Sequence, residues 1–411
     1  MSRPTAPATF RVDPYRWTVL GVFMLINVAV QVLWISYAPV ASQAAHAYGV
    51  KREGIDLLAN LFMIIYLPVA IPAAWAIDRF GLKKAVGFGA VLIGGFGLLR
   101  ALFPTDYRMA LIGTVGISIG QPFLLNAFTK LAAVWFPSAH RATVTGMMFL
   151  AMFAGIGIGE GLTPWLCENY TFTGMQLIYG VGAALSAWFF LLMARDKPST
   201  PPDSAEDQVR ALVFQGFRGM MRRKEVYMLS LALFLGSGIV NAVFTLIDGL
   251  AQEKGLTTGQ GVTLTLVLLV AGILGSILLP ALSDTLRRRK AVLLVGIFAA
   301  VPAAFFLALA RSYGGELVFF FLLGFFVTGM TPVAYQYGAE ITHPAPEGLS
   351  NGIFALVVQA SGLLIVAMDS VKKWTHGSYV PSLLILTLFL FFSGRLFLRA
   401  KESPDMLKPS C

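Results

Sequence analysis

Three uncharged side chains with binding chemistry stand at similar depth inside long apolar stretches of this chain: Trp34, Gln121 and Gln359. An indole offers a flat π-face, and a glutamine amide both donates and accepts hydrogen bonds. Such groups are costly at mid-membrane depth and tend to face a cavity or another helix. A glutamine that only bridges two helices is the plainer alternative. Gln121 sits between Gly120 and Pro122, a combination that loosens the backbone ladder and predicts an irregular helix beside a cavity. One carboxyl also lies deep. Glu160, in the glycine run from Gly155 to Gly161, falls about 9 Å outward of the midplane at ~1.5 Å per residue. It could take up and release a proton, be wetted from the outer side, or bond to a neighbouring helix that the glycines let approach. Asp248 and Asp369, nearer the outer helix ends, are weaker candidates. No phosphate-binding glycine loop, zinc-binding His-Glu-x-x-His or nucleophile elbow occurs, so an enzyme is not expected.

The elements that hold these groups are membrane helices. Hydrophobic residues are 57% of 411 and charged residues 13%, with a mean hydropathy of +0.74, outside the range of a water-soluble domain. A hydrocarbon core of ~30 Å takes roughly 20 apolar residues per helix. Twelve segments meet that need, near 17–46, 53–77, 85–104, 108–135, 141–168, 175–194, 226–251, 260–283, 290–310, 316–340, 348–370 and 378–399. They fall into an N-terminal six-helix bundle (1–194), a linker (195–225) and a C-terminal six-helix bundle (226–411). Asp78-Arg79-Phe80-Gly81-Leu82-Lys83-Lys84 follows the second segment, and Asp284-Thr285-Leu286-Arg287-Arg288-Arg289-Lys290 follows the eighth, 206 positions later (284 − 78). An acid closing one helix before basic residues open the next, used twice, marks an internal duplication.

With an even number of spans both termini share one side. Of the 31 Lys and Arg, only Lys51, Arg52, Arg100, Arg108, Lys254, Arg311, Lys372 and Lys373 fall on the other, with Lys130 inside the fourth helix. The positive-inside rule makes the termini cytoplasmic, and the net charge of +10 is mostly topology. No basic soluble domain is present to bind nucleic acid. No cleavable leader pattern precedes the first helix. Cys167 and Cys411 have neither the number nor the spacing for a zinc site.

Twelve spans, the long central linker and the Asp-Arg-x-Gly-x-Lys-Lys loop resemble the major facilitator superfamily over essentially the whole chain. Two departures are Ala74, where a glycine usually precedes the loop acid by four residues, and Arg287 in place of Gly81. The resemblance implies two bundles rocking about a central site. Asp78 and Asp284, with Arg79 and Arg287 in the same loops, would then hold the cytoplasmic gate closed through basic groups and helix ends. The plainer alternative is that these loops only set topology.

Finer likeness lies around the three deep residues. Gln31-Val32-Leu33-Trp34-Ile35-Ser36-Tyr37, Ser118-Ile119-Gly120-Gln121-Pro122-Phe123, Tyr66-Leu67-Pro68, and Gly338-Ala339-Glu340-Ile341-Thr342-His343-Pro344 leading to Gln359 resemble the feline leukaemia virus subgroup C receptor-related transporters. In that family the matching tryptophan and glutamines line a site for choline and ethanolamine, and haem transport has also been proposed. A quaternary ammonium has no N–H donor, so an aromatic face such as Trp34 can hold it, worth ~2 kcal/mol when desolvated. The amides would take the solute hydroxyl. Tyr66, Tyr37 and Phe244 are additional candidate aromatics; the family has a tyrosine on its seventh helix where this chain offers Phe234 and Phe244.

Haem fits less well, since its propionates want cations and Lys130 lies near the cytoplasmic end of its helix, where it can snorkel. An axial ligand is also hard to place, because His46, His140, His343 and His376 fall at helix ends or in loops. The reading is therefore a multi-pass cell-membrane transporter of a small alkylammonium, without resident cofactor or metal, acting as a monomer in the lipid bilayer. A proton-coupled porter of a hydrophobic cation, carboxylate or haem, and a non-transporting receptor on the same fold, are the alternatives. The family resemblance favours uniport, and Glu160 leaves coupling open.

Overall fold

Apolar runs of this length have no water to satisfy their backbone, so each closes its own hydrogen bonds as a helix. A computed structural model of the chain describes residues 13–200, 219–245, 250, 253–375 and 378–406. Arg3, Arg11, Asp248, His376, Cys411 and the linker stretch 201–218 lie outside the described residues, as does the side chain of Asp369.

The membrane helices are α1 (Arg16–Ile35), α2 (Arg52–Phe80), α3 (Leu82–Leu102), α4 (107–135), α5 (141–170), α6 (172–193), α7 (Lys224–Thr245), α8 (Thr258–Leu286), α9 (Arg289–Leu309), α10 (Tyr313–Thr342), α11 (Glu347–Lys372) and α12 (Val380–Phe397). Among the described residues, eleven helical stretches are long and apolar enough to span a membrane. One of them, Ser138–Met193, has 56 residues, which at ~1.5 Å per residue is more than twice a ~30 Å hydrocarbon core. Its helix breaks at Thr171, with φ 65° and ψ 167°. That break divides it into α5 and α6 and makes twelve spans.

Four helices are interrupted, and chain chemistry explains part of this. The first predicted span, 17–46, is a helix that stops at Ile35 and resumes as the short helix Ala41–Tyr48, with Pro39 in the turn between. α4 contains Pro122 and breaks a turn later, at Asn126 and Ala127. α10 carries a π-turn at Gly324–Thr328. α11 breaks at Ser361 and Gly362.

α1 packs on α5, and α3 on α4 and α6; α9 and α7 pack on α12, and α8 on α10. Across the duplication, α2 meets α11 and α5 meets α8. The α5–α8 approach is close enough that a Cβ on Gly146 would lie 2.2 Å from the Ser276 carbonyl oxygen. α3, α6, α9 and α12 turn large apolar side chains outward, among them Phe88, Trp188, Val295 and Phe392, as a lipid-facing layer requires. Near the chain's start, Asp13 accepts hydrogen bonds from the Ser199 backbone (3.0 Å) and hydroxyl (2.7 Å). These bonds hold its carboxyl below the usual range.

Candidate functional site

Trp34 stands in the last turn of α1, half-buried, with its ring 6.5 Å from that of Phe62 on α2. Gln121 lies one turn before the α4 break, 5% exposed, and its amide makes no hydrogen bond to a described residue. Gln359 is half-buried at the end of the first half of α11, also with its amide unbonded to the described residues. Beside it, Asn241 of α7 donates to the Ser361 hydroxyl in the α11 break (3.2 Å). Both glutamines therefore sit next to interrupted helices, where the freed backbone groups must line a cavity or find protein partners. The α4 interruption expected around Gln121 falls at Asn126.

The accessory aromatics are placed differently. Tyr66 is fully buried and its hydroxyl donates to Asn126 Oδ1 (2.9 Å). Tyr37 is 2% exposed, shares a hydrogen bond with the Tyr48 hydroxyl (2.8 Å) and donates to Gln176 Oε1 (3.2 Å). Phe244 is 36% exposed near the end of α7. Of the six, Trp34, Gln121 and Gln359 keep binding groups uncommitted, while both tyrosine hydroxyls are engaged within the protein. Glu160 is half-buried on α5, and no described residue hydrogen-bonds to its carboxylate.

The loop acids form a paired arrangement at one face, here the acid face. Asp78, at the end of α2, accepts from the backbone N–H groups of Gly348 (3.3 Å) and Leu349 (3.1 Å) in the first turn of α11. Asp284, at the end of α8, accepts from the backbone N–H (2.7 Å) and hydroxyl (2.6 Å) of Thr143 in the first turn of α5. Each carboxylate thus occupies the positive end of a helix from the other half of the chain, satisfying N–H groups that have no intrahelical partner. The duplication governs the whole contact. Asp78 and Asp284, Thr143 and Leu349, and Gly146 and Gly352 are all offset by 206 residues (284 − 78, 349 − 143, 352 − 146).

Neither cation beside these acids is the arginine singled out in its loop: one comes from α4, the other from further along the second loop. Lys130 of α4 donates to Asp78 Oδ1 (2.9 Å) and to the Ile77 carbonyl (2.6 Å), with its side chain 6% exposed. It turns inward and does not snorkel, because a buried acid lies within its reach. Arg289, fully buried, pairs with Asp284 and with Glu340 of α10 (3.2 Å). Glu340 is further bonded by Gln336 (2.9 Å) and by the Ser403 hydroxyl of the C-terminal segment. Arg79 is exposed and lies over Trp75 (5.6 Å) and Phe80 (5.9 Å). Arg287 ends α8 in the left-handed conformation.

Sequence reasoning also missed Asn126. Its amide donates to the Ala70 carbonyl (2.8 Å), its Oδ1 accepts from Tyr66, and its backbone carbonyl accepts from Asn351 of α11 (3.2 Å). α4 thereby carries Gln121, the Asn126 junction and Lys130, the partner of Asp78, within ten positions of one another (121 to 130). The available signal was an asparagine buried in an apolar run, which must find partners.

The model of the family described as Major Facilitator Superfamily matches residues 20–366. The choline/ethanolamine transporter FLVCR2 of Homo sapiens is 25% identical, covering 96% of this chain and 79% of that protein. The choline/ethanolamine transporter FLVCR1 of Felis catus is 27% identical over 92% of this chain and 71% of its own length. Among solved structures, the Major Facilitator Superfamily transporter FucP in its outward conformation is similar with a TM-score of 0.75 at 17% identity, covering 94% of this chain and 98% of that one. That likeness concerns the fold.

Proposed function

The chain belongs to the Major Facilitator Superfamily, and on that premise we propose that this multi-pass membrane transporter carries a small alkylammonium such as choline or ethanolamine by alternating access. The observation that carries the reading is the pair of unbonded amides, Gln121 and Gln359, on interrupted helices, together with a half-buried tryptophan face. A quaternary ammonium needs no buried carboxylate; a π-face is worth ~2 kcal/mol once water is excluded. The amides would receive the solute's hydroxyl in exchange for water. The choline/ethanolamine names of FLVCR2 and FLVCR1 support the same substrate class.

In this reading the acid face is cytoplasmic in the cell membrane, 1–194 and 226–411 are the two rocking bundles, 195–225 links them, and a monomer suffices. The helix caps made by Asp78 and Asp284 are the cytoplasmic latch. Glu160 favours a second reading, because an unbonded half-buried carboxylate on α5 could exchange a proton each cycle and make the carrier concentrative.

Labelled-choline counterflow in proteoliposomes tests the substrate. Saturable flux is expected, lost in Trp34→Ala and partly kept in Trp34→Phe. Equal loss in both folded variants would argue for shape over the π-face. Binding without flux would indicate a receptor, and flux of carboxylates or of hydrophobic cations with none of choline would overturn the substrate class.

A further inference from the structure

Arg100 is a buried cation without an acid. It lies in the last turn of α3, 2% exposed, and no carboxylate among the described residues pairs with it. An unpaired charge at a membrane helix end is expensive unless it reaches water or serves a purpose. Two of its donors go to the end of α1 and the residue that follows it, while its Nε–H has no partner among the described residues. Nη1 donates to the Leu33 carbonyl (3.2 Å) and Nη2 to the Ser36 hydroxyl (3.3 Å), while the charge rests 4.3 Å from the centre of the Tyr37 ring. Leu33 and Ser36 bracket Trp34, and α1 ends at Ile35. A carbonyl in the last turn of a helix lacks its own intrahelical donor and carries the negative end of the dipole, so a guanidinium placed there is stabilised without a carboxylate. The fit is built on both sides. The Arg100 stem crosses Gly113 of α4 so closely that a Cβ there would lie 2.4 Å from Arg100 Cγ.

We propose that Arg100 is a positioning residue for Trp34: by holding the Leu33 carbonyl, the Ser36 hydroxyl and the Tyr37 ring together, it fixes the end of α1, where Ser36 also caps the Leu33 carbonyl (3.1 Å), so that the indole keeps one orientation toward the solute. Tyr37, already held by Tyr48 and Gln176, completes the clamp. The inference rests on Trp34 being the solute's π-face, but the clamp itself can be observed without any solute.

The test uses the full chain labelled with fluorotryptophan, the Trp34 line being identified by its loss in Trp34→Phe. Wild type and Arg100→Lys, which keeps a donor and a charge, are expected to show one Trp34 line. Arg100→Met is expected to split or broaden that line while leaving the Trp165 and Trp188 lines unchanged. Choline affinity should fall about tenfold in Arg100→Met, the scale of losing a charge-assisted anchor. In a Trp34→Ala background the same change should add less than about twofold, because coupled sites are not additive. Gly113→Ala displaces the Arg100 stem without removing the charge and should disturb the Trp34 line in the same way, so a poorly folded Arg100→Met does not end the test. A single sharp Trp34 line in both Arg100→Met and Gly113→Ala overturns the proposal, as does a tenfold loss that persists without Trp34. An undisturbed choline affinity in Trp34→Ala would instead remove Trp34 as the solute's π-face and leave the clamp to be judged by the Trp34 line alone.

Discussion

Neutralising the loop acids should open the acid face, and the structure fixes how far. Asp78 makes two kinds of contact: with Lys130 of α4, in its own half of the chain, and with the Gly348 and Leu349 N–H groups of α11, in the other half. If the halves rock as units, Lys130 travels with Asp78 and its ion pair is common to both states. The helix cap is the contact of Asp78 that joins the two halves. A side-chain cap is worth about 0.5–2 kcal/mol and a charge at a helix N-terminus about 0.3–1 kcal/mol more. Asp78→Asn keeps an acceptor oxygen and loses the charge, so about 1 kcal/mol of closure is lost, or roughly fivefold in the open-to-closed ratio. Asp284→Asn acts on Thr143 in the same way, and the double variant loses about 2 kcal/mol, roughly thirtyfold. The assay is maleimide labelling of Ser276→Cys in a background without Cys167 and Cys411. Ser276 is fully buried against α5 when the face is closed. Labelling rates are expected to rise about fivefold in each single variant and roughly thirtyfold in the double. A lower melting temperature is expected as well, since Lys130 and Arg289 then lie buried without full counter-charge. Unchanged labelling in all three folded variants would refute the latch and leave the acids a role in insertion or folding only.

Two other outcomes follow from the same geometry. Gly146→Ala places a methyl where the Ser276 carbonyl stands 2.2 Å away, so it should wedge α5 from α8; spin-label distances between the α2–α3 and α10–α11 loops should lengthen, and unchanged distances would count against a close-packed latch. Glu160→Gln mimics the protonated carboxyl, and for a uniporter it should leave choline counterflow intact, with no choline accumulation in the wild type under a pH gradient imposed at zero membrane potential; accumulation under that gradient, lost in Glu160→Gln, would establish proton coupling instead.

The fold was legible because its signals are local or periodic. Apolar runs announce each span, and the spacing between Asp78 and Asp284 announces the duplication. The α5–α6 break was legible too, as polar punctuation before residue 175, although the helix runs on as far as Thr171 with little interruption. What could not be read was pairing across the chain. Lys130 near a helix end looks free to snorkel until α2 brings Asp78 to it, and Arg79, next to the acid in sequence, turns out to lie over Trp75. Adjacent residues on a helix point about 100° apart, so the residue next to an acid does not face it; Arg289, five positions after Asp284, does reach its acid. Tyr66 and Tyr37 illustrate the same limit. An aromatic in a membrane helix can face a cavity or a neighbour, and only the neighbours, Asn126 for one and Tyr48 with Gln176 for the other, decide.

The two helix caps at the acid face are separate, equivalent and offset by a constant register. On the proposed latch role, loss of one cap leaves the other in place and shifts closure by a modest factor. Outside the shared acid, the cap itself makes no demand on the residues that follow in either loop. Within this one chain the two loops differ accordingly: the first has Arg79, Phe80 and Gly81 where the second has Thr285, Leu286 and Arg287, while the acid that reaches across to the opposing helix is the same in both.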